Sequence, residues 1–196
     1  MNVYVWTNIL KNAYIGEVYE YSYDFRGKTI SQIISDGWTT AQWTPTIWTY
    51  WYSSANSNRA RSNFTLPSLA TANKITFYTN IIFTSSTGAC DQIRIGNSGR
   101  TNLTWYYLDN VWNCFPQLLW NNITTITTAS WAWTHKMTVE LDLQNATYKY
   151  SITWYNDTTG SLTSSQISTI RGFTLAEAMS DGNTWYIKDF KLIIEY

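Results

Sequence analysis

Apolar and polar residues alternate along much of this chain. From His135 to Leu143, Met137, Val139, Leu141 and Leu143 alternate with Thr138, Glu140 and Asp142, which puts apolar groups on one face of a strand and polar groups on the other. Gln144 and Asn145 then turn the chain into 146–154, where Tyr148, Tyr150, Ile152 and Trp154 share a face opposite Thr147, Lys149, Ser151 and Thr153. The two segments predict a hairpin. The closing segment 185–196 reads as a long strand with Phe190, Leu192, Ile194 and Tyr196 facing in, and a chain that ends inside a strand usually has that end tied into its sheet. Further strands are predicted at 18–25, 47–52, 74–84, 92–95, 104–108, 123–128 and near 166–171. Turn clusters around Gly88, Gly99, Gly160 and Gly182 separate them, and this spacing suits two packed antiparallel sheets.

Two segments break the period of two and echo each other. Thr29 to Gly37 and Thr174 to Gly182 each carry a Thr, a Gln or Glu three residues later (Gln32, Glu177), and a Ser-Asp-Gly ending. That is a capping box with a glycine stop, so both read as short helices. They are expected to cover the ends of the sandwich, burying Ile30, Ile33 and Ile34 in one case and Leu175, Ala178 and Met179 in the other.

Composition narrows the partners. The chain has 196 residues, enough for one domain with a sizeable core, and thirteen basic residues cancel thirteen acidic ones. Charged residues are only 13% and aromatics 17%, giving a neutral surface rich in Thr, Ser and Asn. Neither net charge nor a local Lys/Arg run draws in nucleic acid or an anionic membrane, so neither is an expected partner. The N-terminus lacks a basic region followed by an apolar one, and no apolar run approaches the ~20 residues of a spanning helix, so the expectation is a soluble, cytoplasmically made protein. Five Asn-x-Ser/Thr sequons (Asn63, Asn102, Asn122, Asn145, Asn156) follow from the abundance of Asn and Thr. Cys90 and Cys114 lack the spacing of a metal site and read as core thiols, with a bridge as the open alternative.

Chemistry is sparse. The one histidine, His135, opens a strand with no Gly-x-Ser-x-Gly elbow anywhere and reads as a surface or edge residue. Glu140 and Asp142 face the same way on their strand, and paired carboxylates split glycosidic bonds. Jelly-roll glucanases have a third acid downstream, where this chain has Gln144 and Asn145, so a solvated sheet face is the better reading and no enzyme is expected. Asp157 and Asp181 sit in turns that suit a Ca²⁺ ligand, but no run of spaced carboxylates accompanies them. No cofactor is therefore expected. The twelve tryptophans suggest glycan recognition, because aromatic faces stack on sugar rings and Asn, Thr and Tyr hydrogen-bond hydroxyls. Trp131 and Trp133, two apart in an extended stretch, with Trp105 and Trp154 are the candidate stacking residues.

The stretches 3–17 (VYVWTNILKNAYIGE) and 21–38 (YSYDFRGKTISQIISDGW) resemble the front of virion proteins of tailed bacteriophages, where such a peptide precedes a concanavalin A-like (LamG-like) jelly-roll domain. The resemblance implies an all-β, antiparallel two-sheet jelly-roll sandwich with two short capping helices. It divides the chain into an attachment peptide, 1–17, and a domain, 18–196. Tyr4, Trp6, Leu10, Tyr14 and Ile15 would dock into another virion subunit as an added strand or plug; packing back on their own domain is the alternative. The implied protein is a capsid decoration, head-fibre or tail-fibre component, present in multiple copies beside other virion proteins. Host or mucosal glycans are its candidate ligands, and a stand-alone lectin or carbohydrate-binding module is the alternative.

Overall fold

A computed structural model of the chain describes residues 13–15, 18–42, 45–48, 51–54, 59–83, 90–91, 93–97, 104–108, 113–119, 121–122, 127–128, 134–153, 156–181 and 185–196. Its strands form two nine-stranded antiparallel sheets. The first runs, edge to edge, β1 (Ala13–Ile15), β2 (Val18–Asp24), β18 (Trp185–Glu195), β7 (Lys74–Phe83), β14 (Thr134–Asp142), β15 (Thr147–Ile152) and β16 (Thr158–Ser161), and β5 (Trp51–Ser54) joins β4 (Pro45–Trp48) to β18. The second runs β12 (Asn121–Asn122), β11 (Asn113–Leu118), β10 (Thr104–Leu108), β9 (Ile93–Gly96), β17 (Leu175–Asp181), β6 (Arg59–Thr65) and β3 (Thr39–Gln42), with β13 (Thr127–Thr128) on β11 and β8 (Cys90–Asp91) on β10. The expected all-β, two-sheet jelly-roll architecture is present.

The alternation read from the sequence decides what each sheet buries. Tyr21 and Tyr23 on β2, Phe190, Leu192 and Ile194 on β18, Ile75, Phe77 and Ile81 on β7, and Met137, Val139 and Leu141 on β14 are all buried. They meet Ile95, Leu118, Ala176 and Ala178 of the second sheet. Tyr150 crosses between the layers, its hydroxyl donating to the Gln117 carbonyl at 3.0 Å.

One end of the core is aromatic. Tyr21 stacks on Phe64 with ring centroids 4.1 Å apart, and Trp38 packs within 5.3–6.5 Å of Phe25, Tyr23, Phe64, Phe190 and Tyr21. Trp38 Nε1 donates to the Tyr21 hydroxyl and Tyr23 donates to the Asp36 carboxylate, both at 2.8 Å. Burial raises both phenols well above the ordinary tyrosine range; at Tyr23 the bond to Asp36 adds to the rise, while at Tyr21 the Trp38 bond opposes it. The fold therefore holds them neutral, and this stability is present below the unfolded value of about 10 and lost as pH rises beyond it. In a titration followed at 295 nm, two of the fifteen tyrosines should ionise only as the circular-dichroism signal of the fold disappears. Complete titration with the fold intact would contradict this.

The helices among the described residues are two, but the second is not where the sequence pattern put it. α1 (Ile30–Ser35) is the expected one: Thr29 caps it, its side chain accepting from Gln32 N while Gln32 reaches back to Thr29 N, and Gly37 follows at φ +97°. It buries Ile33, whereas Ile34 is 51% exposed and Ile30 half-buried. α2 is Ser164–Arg171, capped by Thr163 and Gln166 in the same reciprocal way, where a strand was expected near 166–171. Conversely, the expected helix 174–182 is β17, paired with β6 over seven residues and with β9 over four. Both segments carry capping-box spacing. The sheet decides between them, because 175–181 supplies the strand between β6 and β9 and alternates buried Ala176 and Ala178 with Glu177, which meets Arg94.

Three smaller expectations are corrected, and one alternative is excluded. The segment 47–52 is not one strand but the facing ends of β4 and β5, with Trp48 opposite Trp51. Strands β1, β3, β6, β8, β11, β12, β16 and β17, which the pattern does not predict, complete the sheets. His135 is fully buried rather than on the surface, since it continues the inward series of Met137 and Val139. Cys90 and Cys114 both pair with Leu108, from opposite sides of β10. Two strand spacings, about 10 Å, thus separate their backbones, beyond the ~7 Å that a disulfide spans.

At the edge, Gly160 lies opposite Tyr148, and a methyl added there would overlap the Tyr148 hydroxyl and ring. Gly160→Ala is expected to cost about 1–3 kcal/mol in urea denaturation.

Candidate functional site

The outer face of the first sheet is a grid of polar rows set by strand register. Asp24, Asp189, Asn80 and Lys136 stand side by side across β2, β18, β7 and β14; the next row is Ser22, Lys191, Tyr78 and Thr138, and the third Glu20, Ile193, Thr76 and Glu140. Over the first two rows lies a groove of about 670 Å³, lined among others by Ser22, Tyr78, Asn80, Lys136 and Asp189. Its volume falls in the range of small-molecule sites.

A β-bulge shapes the groove. The register of β18 on β7 shifts between Ile187 and Asp189, and a bulge bends its strand and re-aims the side chains beside it. There the backbone N–H of Asn80 donates to Asp189 Oδ1 at 3.1 Å, Asn80 Nδ2 donates to the same oxygen at 2.7 Å, and Thr79 Oγ1 donates to the Asp189 carbonyl at 2.8 Å. The Asp189 carboxylate is thereby fixed in place. Two residues along β7, Tyr78 offers an aromatic ring with the Lys136 ammonium 5.0 Å from its centroid, a cation–π distance.

Charges around the groove are mostly matched. Arg26 pairs with Asp24 through Nε at 2.8 Å and also through Nη2. Burial alone would raise the Asp24 carboxyl, but the Arg26 hydrogen bonds and charge outweigh it and hold the group below the ordinary carboxylate range. Lys28 lies 3.2 Å from Asp36, and Lys191 2.8 Å from Glu20. A fixed acceptor pair, an aromatic ring and hydroxyls in one groove can hold a polyhydroxylated ligand: the carboxylate and amide take hydroxyls, and the ring covers C–H faces.

The residues singled out in the sequence fall elsewhere. Trp131, Trp133 and Trp154 lie outside the described residues, as do Tyr4, Trp6 and Leu10. Trp105 is in β10 opposite Gln117, on the second sheet. Tyr14 and Ile15 belong to β1, opposite Tyr19 and Val18 at the edge of the first sheet. Glu140 and Asp142 share the outer face of the first sheet, but Lys74 holds Glu140 at 3.1 Å and Asn145 donates to Asp142 from N and Nδ2 at 2.8 and 2.9 Å. Of the calcium candidates, Asp157 pairs with Lys149 at 2.7 Å, and Asp181 ends β17 opposite Arg59. On the second sheet, Arg94 and Glu177 form a buried ion pair.

Sequence reasoning missed Tyr78, Asn80, Lys136 and Asp189 as a group. The strands carrying them are legible, but their alignment depends on pairing between segments far apart in the chain. One signal was available: Ile187 and Phe190 both face inward although three residues apart, which breaks the period of two and marks the bulge.

No protein-family model and no curated protein sequence matches this chain. Solved structures do match in fold. Peanut lectin superimposes with a TM-score of 0.65 at 10% identity, covering 91% of this chain and 98% of the lectin. Winged bean acidic lectin, complexed with methyl-α-D-galactose, gives 0.61 at 7% identity, covering 90% and 98%. A mutant of Trypanosoma rangeli sialidase with trans-sialidase activity gives 0.56 at 8% identity; it is covered over only 27% of its length, by 79% of this chain. The Crh5 transglycosylase gives 0.60 at 11%, covering 90% of this chain and 83% of that one. These likenesses show the fold, a concanavalin A-like jelly roll, which the lectins and the transglycosylase have over most of their length and the sialidase over 27% of its own.

Proposed function

We propose that this protein is a glycan-recognition jelly roll that acts by binding rather than catalysis and is displayed on the particle of a tailed bacteriophage. The observation that carries the binding reading is the groove on the first sheet, where Asp189 is fixed by Asn80 beside the Tyr78 ring. Lectins of the same fold, one complexed with a galactoside, support it. The absence of a third acid after Glu140 and Asp142, both engaged by neighbours, supports a non-catalytic role. Because sialidases and transglycosylases share the fold, turnover of polysaccharides by the wild type that is abolished in Glu140→Gln would overturn that part.

A glycan array probed with the recombinant protein tests binding. Retention of a saccharide that is weakened in Asp189→Asn, which keeps the Oδ1 acceptor for Asn80, is the expected result; retention equal in both would remove the groove from the reading.

The particle reading rests on the resemblance of 3–17 and 21–38 to phage virion proteins. Since β1 is the edge strand of the first sheet, the segment proposed for attachment is 1–12. A chain lacking it should fold and fail to incorporate into particles. Immunogold microscopy with an antibody to the domain should label the capsid for a decoration or head-fibre protein, and the tail tip for a receptor-binding one. Label on neither, with the protein recovered only from the lysate, would favour a stand-alone lectin, which the nearly end-to-end match to legume lectins also accommodates.

A further inference from the structure

Resting on the glycan-binding reading, we infer that the groove selects an acidic oligosaccharide, with hydroxyls of one sugar on Asp189 and Asn80 and the carboxylate of the neighbouring sugar on Lys136. The charge arrangement singles out these groups. Lys28 and Lys191 face Asp36 and Glu20, and Asp24 faces Arg26. Lys28 also lies over a ring, that of Tyr23 at 5.6 Å, but pairs with Asp36; Lys136 lies over the Tyr78 ring, and among the described residues no carboxylate comes within ion-pair distance of it. The ring positions this cation without cancelling its charge.

At the other end, both donors from Asn80 fall on Oδ1 of Asp189, so Oδ2 keeps its lone pairs for a donor from the groove. A carboxylate accepts and does not donate, which asks for a hydroxyl and repels an acid at that end. Asp189 pairs with Asn80, and Asn80 with Lys136, so the backbones that carry the two anchors stand two strand spacings apart, about 10 Å. That is the span of two linked pyranose rings. A hydroxyl-bearing sugar at Asp189 followed by a uronic or sialic acid at Lys136 satisfies both ends, with Tyr78 beneath.

Binding is measured by calorimetry with galacturonate, glucuronate and sialic acid-terminated oligosaccharides, each beside its methyl ester, which keeps the shape and removes the charge. The expected result is a preference of about tenfold or more for at least one acid over its ester, the scale of one charge-assisted contact. Lys136→Gln should abolish that preference, bringing acid and ester to equal affinity, whereas Asp189→Asn should weaken acid and ester alike and keep the preference. Lys136 is exposed, so its variant should keep the wild-type urea midpoint. Equal binding of acid and ester, or a preference that survives Lys136→Gln, overturns acid selection and leaves glycan binding standing. Failure of every acid, every ester and the neutral glycans of the array overturns glycan binding itself.

Discussion

Glu177→Leu is expected to destabilise the fold by about 3–5 kcal/mol, because it takes the Glu177 carboxylate away from the buried Arg94 guanidinium. Arg94 is 1% exposed and Glu177 4%, and they are direct cross-strand partners on β9 and β17, with Arg94 Nε donating to Glu177 Oε2. A charge taken out of water needs a partner at short range, and deleting one member removes the attraction that offsets the desolvation of the other. The double variant Arg94→Met/Glu177→Leu should recover most of the loss, since an apolar pair of similar size carries no such cost. Urea denaturation of the two single variants and the double gives the coupling directly. Additive losses would show that the pair is not the source of the effect.

Trp38→Ala should cost a similar amount, about 3–5 kcal/mol, as a large-to-small change in a packed core. Trp38 is one of the largest fully buried side chains, and it contacts rings from β2, β6 and β18, so its loss opens the end of the sandwich beside α1. Trp38→Phe separates packing from polarity. It keeps most of the ring contacts and removes the bond to the Tyr21 hydroxyl, at a cost of about 1–2 kcal/mol. A loss in Trp38→Phe as large as that in Trp38→Ala would place the energy in the hydrogen bond and not in the aromatic cluster.

Legibility differed by element for physical reasons. The strands that carry the core, 74–84, 135–143 and 185–196, are plain because a sheet with one face buried must alternate, and Met137, Val139, Phe190 and Leu192 do. The first helix is plain because its cap is local: Thr29 and Gln32 satisfy each other's backbone without help from the rest of the fold. The same local rule fits Thr163/Gln166 and Thr174/Glu177 equally. Nothing within either segment tells the two apart, and competition for the slot between β6 and β9 assigned one to a helix and the other to a strand. The candidate groove was hidden for a related reason. Tyr78, Asn80, Lys136 and Asp189 are ordinary outward positions on their own strands, and their chemistry exists only once β18 and β14 flank β7.

The sequence by itself determined the all-β class, the faces of the long strands, the neutral polar surface and the cap of α1, because these depend on residues within a few positions of one another. The order of the strands, the identity of the second helix, the burial of His135, the separation of Cys90 from Cys114, the Arg94–Glu177 pair and the bulge that fixes Asp189 on Asn80 were decided only by the tertiary structure. Each is a matter of register between strands distant in the chain, and register is set by how both sheets fill one core together.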